Sequence, residues 1–270
     1  MQNAQTEKGF SLSAVALSVL TAALAEGTQA GVSVRGMVVY GAAQASLLTL
    51  LSAVLYACWQ KAGPAAQQAW LFAAGIWLLA QLCGTALQAQ TVCRQEFRSM
   101  ALVGLLPLLL WAGWKIAPDG WNAPARVLWW FAVLGILVGL VGTAGQMRWA
   151  HLLTSDAMQL ARCPHAALYA EYLVWPVLCP AADPRRAVLL PWLAFLAQAG
   201  LAGGTCLVFG ATAYPEQELL RAWSVGVFSR MDAMLLLLWL TCAVFRIGAL
   251  CAAVRMLWRQ AFQGGKGAAQ

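Results

Sequence analysis

Eight long apolar runs divide the chain, and charged residues, glycine or proline separate each run from the next. Runs of this length predict membrane-spanning helices, because about 20 apolar residues in a helix cross the hydrocarbon core of a bilayer. The breaks combine helix breakers with polarity at Gly63-Pro64, Pro118-Asp119-Gly120 and Asp183-Pro184-Arg185-Arg186. The predicted segments, numbered one to eight, are 10–33, 36–60, 66–93, 99–117, 125–147, 150–181, 186–213 and 229–257.

The composition places the chain in the lipid bilayer. It is 61% hydrophobic and 10% charged, whereas an ordinary soluble domain has roughly 25% charged residues. Eight crossings use nearly all of the length, so we expect one integral membrane domain over 1–270 with polar tails at 1–9 and 260–270. The net charge of +7 comes from basic residues scattered singly between apolar runs, which argues against a nucleic-acid partner.

The distribution of basic residues predicts the orientation. With a cytoplasmic N-terminus, nine Lys and Arg face the cytoplasm and six face the other side, when Arg162 and Arg246 inside the segments are left out. Cytoplasmic loops carry the excess of positive charge, so both termini are predicted to be cytoplasmic. The nine are Lys8, Lys61, Lys115, Arg126, Arg185, Arg186, Arg255, Arg259 and Lys266.

Segments one and six are interrupted by polar residues. Segment one passes through Ala25-Glu26-Gly27-Thr28-Gln29-Ala30-Gly31, and segment six through Arg162-Cys163-Pro164-His165 and Tyr169-Ala170-Glu171. Irregular backbone at membrane depth is tolerated only where protein or a water-filled cavity satisfies it. Two broken helices five segments apart are typical of inverted repeats with a substrate site between them. The alternatives are a short helix followed by a loop in segment one, and a kinked helix with Glu171 at the interface in segment six.

Two charged residues at the start of segment eight are followed by a third farther along it. Arg230 and Asp232 lie at the non-cytoplasmic entry of the segment, where a charge costs little, and anchoring is their favoured role. Arg246 follows Asp232 by 14 residues, about 21 Å along a helix, so the two cannot pair. We expect Arg246 either to snorkel or to meet a polar group on another segment.

The stretch that begins segment eight, Phe228-Ser229-Arg230-Met231-Asp232-Ala233 and onward to Trp239, resembles the B-subunit of spore germinant receptors. These germination permeases belong to the amino acid, polyamine and organocation superfamily. Ser229 stands where the family has Glu. Upstream, Leu207-Val208-Phe209-Gly210 followed by Tyr214-Pro215 is similar to the family's Val-Leu-Gly and aromatic-Pro.

Further agreement lies in segments six and one. Ala167 to Glu171 resembles the Phe-Pro-Phe-Gly-Glu stretch of the family's sixth helix, with Leu168 and Ala170 in place of Pro and Gly. Glu26-Gly27-Thr28 is similar to the Gly-Thr of its broken first helix, and Gly120 to Arg126 to a Gly-x-x-x-x-x-Arg stretch. The agreement covers about 150–250 well and the first half thinly.

The resemblance implies an all-α, polytopic bundle with a LeuT-like inverted-repeat core and broken helices one and six. The family has ten helices, so we expect this chain to lack the last two. The implied function is a transporter-like subunit of a spore germinant receptor, which senses a nutrient such as an amino acid together with other receptor subunits in the spore inner membrane. The implied ligand-binding residues are Glu26, Gly27, Thr28, Tyr169 and Glu171, and the family motif residues are Gly210, Pro215, Arg230, Asp232 and Trp239.

Other functions remain open on the sequence. An amino acid or cation transporter of the same superfamily, or a shortened structural sporulation protein, fits the same pattern. We expect no enzyme, because no nucleophile has an adjacent base and no H-E-x-x-H is present. We expect no metal or cofactor either. The eight Cys show no paired spacing, and Cys163-Pro164-His165 is interpreted as a helix break.

Overall fold

The chain is an all-helical bundle in the parts that the structure describes. The structure is a computed structural model, and it describes residues 9–26, 34–151, 169–209 and 231–267. Short 3-10 turns at Pro118–Trp121 and Ala144–Gln146 flank the fifth helix, and no strand is present in the described ranges. The helices are α1 (Leu12–Glu26), α2 (Val34–Lys61), α3 (Pro64–Phe97), α4 (Ala101–Lys115), α5 (Asn122–Thr143), α6 (Glu171–Leu178), α7 (Pro184–Ala187), α8 (Leu190–Phe209) and α9 (Met231–Gly267).

The helix ends follow the predicted breaks. Between α2 and α3, Pro64 occupies the first helical position of α3, where its missing N–H costs nothing and its fixed φ suits the helix. The 3-10 turn from Pro118 separates α4 from α5. At the start of α7, the side chain of Asp183 caps the helix by accepting a hydrogen bond from the backbone N–H of Arg185 at 3.0 Å.

Five helical stretches are long and apolar enough to cross a membrane, which confirms a membrane-embedded helical bundle. Two further apolar helices, α1 and α4, have 15 residues each, about 22 Å of rise against roughly 30 Å of hydrocarbon. Predicted segment six is described only from Tyr169 onward and contains α6. The five stretches are Val38–Lys61, Pro64–Gln95, Pro118–Gln146, Pro184–Val208 and Met234–Phe262.

One boundary differs from the sequence prediction, and another lies outside the described residues. Segment one was expected to run to residue 33, but residues 27–33, between Glu26 of α1 and Val34 of α2, are not among those that the structure describes. The polar tail predicted for 260–270 is helical as far as Gly267. As far as Phe262 the last helix packs against α3, since the Phe72 ring lies 6.2 Å from the Trp258 ring and 6.4 Å from the Phe262 ring.

The central helix of the bundle is α9, which packs against α1, α3, α4 and α5. It runs antiparallel to α3, because Phe72 contacts Trp258 near one end of the pair while Ala89 packs with Ala243 nearer the other. Half of its most apolar 18 residues are buried, compared with 17% for α2 and for α5. A polar side chain on the buried face of α9 therefore lies inside protein, whereas one on the other face, such as Thr241, is exposed.

Glycines allow α4, α5 and α9 to approach closely. A Cβ atom added to Gly113 would lie 2.7 Å from the carbonyl oxygen of Gly248. A Cβ atom on Gly248 would overlap the ring of Trp121 at the start of α5. Small residues at helix crossings serve this purpose in membranes, where packing rather than water exclusion holds helices together.

One basic residue predicted to be a loop charge is buried instead. Arg255 lies inside α9 and is 5% exposed, and its guanidinium donates to the carbonyl oxygens of Trp114 and, at 2.9 Å, Ile116. These carbonyls are at the end of α4, where a helix has unpaired acceptors and partial negative charge. Arg255 thus lies near Lys115, and the count of basic residues assigned both to the same side. It is not a loop charge, however, because its hydrogen bonds join α9 to the end of α4.

The outer surface is apolar. Large hydrophobic side chains are exposed along α2, α4 and α5, and Val141 is 73% exposed. Such a surface is unusual for a soluble monomer but is expected where lipid covers it. Exposed examples are Leu47, Leu50, Leu108, Trp111, Trp130 and Leu134.

Candidate functional site

The start of α6 brings together two of the predicted ligand-binding residues. Tyr169 and Glu171 are both buried, at 2% and 1% exposure. Glu171 is the first residue of α6, so a helix begins within predicted segment six at this acid. The last part of the predicted break, Tyr169 to Glu171, therefore leads into a helix start, whereas residues 152–168, which include the Arg162 to His165 part, lie outside the described part of the chain.

The other predicted residues are divided between described and undescribed parts. Gly27, Thr28, Gly210, Pro215 and Arg230 lie outside the described residues. Glu26 ends α1 and Asp232 is the second residue of α9, and only their backbone is described.

Trp239 is a packing residue. It is partly buried and lies against a small apolar cluster formed by Ala89, Leu102 and Ala243. It therefore takes part in the packing of α3, α4 and α9.

A buried ion pair joins α6 to α9. Glu171 Oε1 lies 3.2 Å from Arg246 Nη2, and both side chains are 2% exposed. Arg246 also donates from Nη1 to the backbone carbonyl oxygen of Ser18 in α1. Of the two outcomes expected for Arg246, the structure shows the contact with a polar group on another segment.

Two further side chains complete the coordination of the carboxylate. Ser18 Oγ donates to Glu171 Oε1 at 2.9 Å. The Gln81 carboxamide from α3 donates to Glu171 Oε2 at 2.8 Å and accepts from the backbone N–H of Ala170 at 2.9 Å. The reverse amide orientation gives a 3.3 Å contact from Arg246 to the Gln81 oxygen, but it turns that oxygen towards the carboxylate, so the first orientation is the consistent one.

Tyr169 closes the cluster on the side of the guanidinium. The centre of its ring lies 5.6 Å from the Arg246 guanidinium carbon, within the range of a cation–π interaction. The Nε atom of Arg246 is buried and has no hydrogen-bond partner among the described residues. We call Ser18, Gln81, Tyr169, Glu171 and Arg246 the polar cluster.

The polar cluster lies near the middle of the bundle. Gln81 and Arg246 are about 18 to 26 Å along the helix axis from the ends of the candidate spans Pro64–Gln95 and Met234–Phe262. A charge at this depth in a bilayer is expensive and faces the protein interior or a polar cavity. Among the residues with described burial, Glu171, Arg246 and Arg255 are the charged residues that are buried.

A second buried hydrogen-bond network fixes α6 to α2. Ser52 Oγ donates to the carbonyl oxygen of Tyr172 at 2.7 Å and accepts from Trp175 Nε1 at 3.1 Å. The rings of Tyr56 and Trp175 are 4.9 Å apart. This network contains no charge and serves to position α6.

Sequence reasoning missed Ser18 and Gln81. α1 meets Glu171 at Ser18, about 12 Å along the helix from Glu26, where the site was expected. Gln81 carried a usable signal, since it is an amide in the middle of the apolar run Trp77-Leu-Leu-Ala-Gln-Leu-Cys83. Ser18 carried none, because a serine can satisfy its hydroxyl on the preceding helical turn.

The cysteines do not form a site in the described ranges. Cys58 and Cys83 are exposed on the outer surface, although their place in apolar runs predicts small core residues, while Cys179, Cys206, Cys242 and Cys251 are buried. The described His, Cys, Asp and Glu side chains contain no group of three that could hold a metal ion. The Cys163-Pro164-His165 stretch lies outside the described residues.

Comparisons with protein-family models, curated proteins and solved structures find no match for this chain. The assignment of function therefore depends on the polar cluster and on the sequence resemblance.

Proposed function

We propose that this chain is a transporter-like membrane subunit of a spore germinant receptor, which takes a small nutrient such as an amino acid at the polar cluster and promotes ion release through its partner subunits. One observation carries the proposal: a buried Glu171–Arg246 pair lies in the middle of an apolar bundle, at the start of a helix. Glu171 and Tyr169 are also two of the five residues that the resemblance assigns to ligand binding.

The energetics of the pair favour a functional role. Taking two charges out of water costs more than their attraction usually returns, so apolar residues of similar volume commonly give an equally stable or more stable protein. Ionisable groups inside a membrane are therefore expected to mark a substrate or ion pathway. The polar cluster also offers both a carboxylate and a guanidinium, the groups that complement the ammonium and carboxylate of an amino acid.

The helix start at the polar cluster supports the LeuT-like part of the proposal. α6 begins at Glu171 inside predicted segment six, and α1 from predicted segment one contacts it there through Ser18. In the proposed inverted-repeat core segments one and six are the two broken helices, and the ligand lies between them. The chain then lies in the spore inner membrane with both termini in the cytoplasm.

A working amino acid transporter of the same superfamily is the second candidate, because the same pair supports it. The two candidates differ in flux. A transporter moves labelled amino acid into vesicles with this chain alone, whereas a receptor subunit binds it without net uptake.

Binding and uptake of amino acids test the proposal. The purified chain in nanodiscs is titrated with each of the twenty radiolabelled L-amino acids, and the same panel is used for uptake into reconstituted vesicles. We expect at least one amino acid to bind, and Glu171→Gln and Arg246→Met to weaken its binding at least tenfold. The exposed residues provide matched controls, Asp119→Asn and Arg94→Met, which leave binding unchanged.

Absence of binding by all twenty amino acids would overturn the proposed ligand class. Amino acid binding that is unchanged by both Glu171→Gln and Arg246→Met would show that the polar cluster is not the binding site.

A further inference from the structure

The short helix α6 is held at three places, two by neighbouring helices and one by the segment that precedes α1. Its start is held by the polar cluster, through the Glu171 carboxylate and the Ala170 N–H. Its middle is held by Ser52. Its end is held by the backbone N–H of Phe10, which donates to the Leu178 carbonyl oxygen at 2.8 Å.

By itself α6 has little tendency to remain helical. It has eight residues, and isolated helices shorter than about 12 to 15 residues are marginal even with favourable sequences. Pro176 lies inside it and removes one of its backbone donors. Its position therefore depends on contacts with other helices rather than on its own hydrogen bonds.

The attachment at the start of α6 differs from the other two because it depends on charge. One carboxylate collects donors from three helices, namely Ser18 on α1, Gln81 on α3 and Arg246 on α9. Loss of charge on either partner leaves the other charge buried without compensation. This attachment can therefore be released by a single change in charge, whereas those of Ser52 and Phe10 involve no charged group.

We propose that the Glu171–Arg246 pair is a latch that holds α6 in the closed bundle, and that breaking the pair releases α6 from α1, α3 and α9. The inference rests on the proposed function in one respect, since a ligand at the polar cluster is what breaks the pair. The latch itself is testable without any ligand. Through the latch, binding of a ligand at the polar cluster leads to movement of α6.

Cys179 provides a reporter of this movement. It caps the end of α6 and is 1% exposed, so it reacts slowly with a thiol reagent while α6 is packed. Cys242 on α9 is also buried and serves as an internal reference for general loosening of the bundle. Labelling of each cysteine by N-ethylmaleimide is followed by mass spectrometry in the purified full chain in nanodiscs.

The test compares four variants with the parent protein. Glu171→Gln, Arg246→Met and the double variant with both changes all break the pair. Arg255→Met removes a buried arginine from the same helix, with hydrogen bonds to α4 and none to α6. We expect the three latch variants to label Cys179 at least tenfold faster than the parent, with Cys242 changed less than twofold, and Arg255→Met to leave the Cys179 rate within twofold.

The double variant distinguishes a latch from simple loss of stability, because it leaves no unpaired buried charge. Fast Cys179 labelling in the double variant supports the latch. A return to the parent rate in the double variant, or equal acceleration of Cys179 and Cys242 in the single variants, would overturn it. Neither result bears on amino acid binding, so the latch and the proposed function can fail separately.

Discussion

The Glu171–Arg246 pair allows a quantitative prediction about stability. Arg246→Met removes the ion pair and the donor to the Ser18 carbonyl oxygen, leaving Glu171 with two neutral donors. Removing one partner of a buried pair costs about 3–5 kcal/mol. Glu171→Gln keeps the shape and an acceptor for Ser18 but leaves Arg246 without its anion, and we expect a cost of the same size.

The double variant is expected to be more stable than either single variant. It contains no unpaired buried charge, so the remaining cost is the lost hydrogen bonding around Ser18, about 1–3 kcal/mol. The two single costs together exceed that of the double variant by at least about 3 kcal/mol, and this difference is the coupling energy of the pair.

Equilibrium unfolding in mixed micelles measures this cycle. Intrinsic tryptophan fluorescence supplies the signal, since the chain has 14 Trp. Arg186→Met is the control for a surface pair, because Arg186 Nε lies 3.9 Å from Asp183 Oδ2 and its side chain is 80% exposed. Its effect is expected to stay below about 1 kcal/mol. A double variant whose cost equals the sum of the single costs would refute the reasoning, because it would show that the two side chains do not interact.

Three further predictions concern the packing around the site, and each is measured by the same unfolding assay. Arg255→Met removes two hydrogen bonds to the end of α4 and should lower the free energy of unfolding by about 1.5–3 kcal/mol. An effect no larger than that of replacing an exposed arginine would show that Arg255 does not stabilise the end of α4. Gly248→Ala places a Cβ atom into the indole ring beside it and should cost about 1–3 kcal/mol. Its control is Gly104→Ala, where the added atom meets nothing within 4 Å, and equal effects of the two would show that the crossing is not tight. Ser52→Ala leaves the buried indole N–H of Trp175 without its acceptor and should cost about 1–3 kcal/mol. Its control, Ser46→Ala on the exposed face of α2, should cost almost nothing. Equal costs would mean that water replaces the lost hydrogen bond.

The membrane class and most helix boundaries could be predicted from the sequence, because they depend on local properties. Long apolar runs identify spans, and Pro64 and Asp183 mark helix starts whatever the rest of the chain does. The extension of α9 to Gly267 could not be predicted in this way. As far as Phe262 this part of α9 packs against Phe72 of α3, which lies 190 residues before Phe262 in the chain.

The polar cluster was predictable only in part. Glu171 is recognisable as an acid deep in an apolar segment, and Arg246 as a cation that needs a partner. Their pairing could not be derived, since nothing in the spacing of two residues on different helices fixes which helices touch. The count of basic residues likewise placed Arg255 on the same side as Lys115, and the two lie at one end of the bundle, but it could not show that Arg255 is buried, because burial depends on the path of α4.

The order in which the chain is synthesised gives the pair a further consequence. Glu171 emerges from the ribosome 75 residues before Arg246, an interval of about 4 to 15 s at typical elongation rates of roughly 5–20 residues per second. Ser18 and Gln81 have been synthesised by then and can donate hydrogen bonds to the Glu171 carboxylate. Its cation, Arg246, has not yet been synthesised. Insertion of α9 therefore supplies the cation that pairs with the Glu171 carboxylate. A ribosome that stalls before Arg246 leaves a partly inserted chain with an unpaired acid near the middle of the membrane. Quality-control proteases that recognise intramembrane charge would distinguish this intermediate from the finished protein.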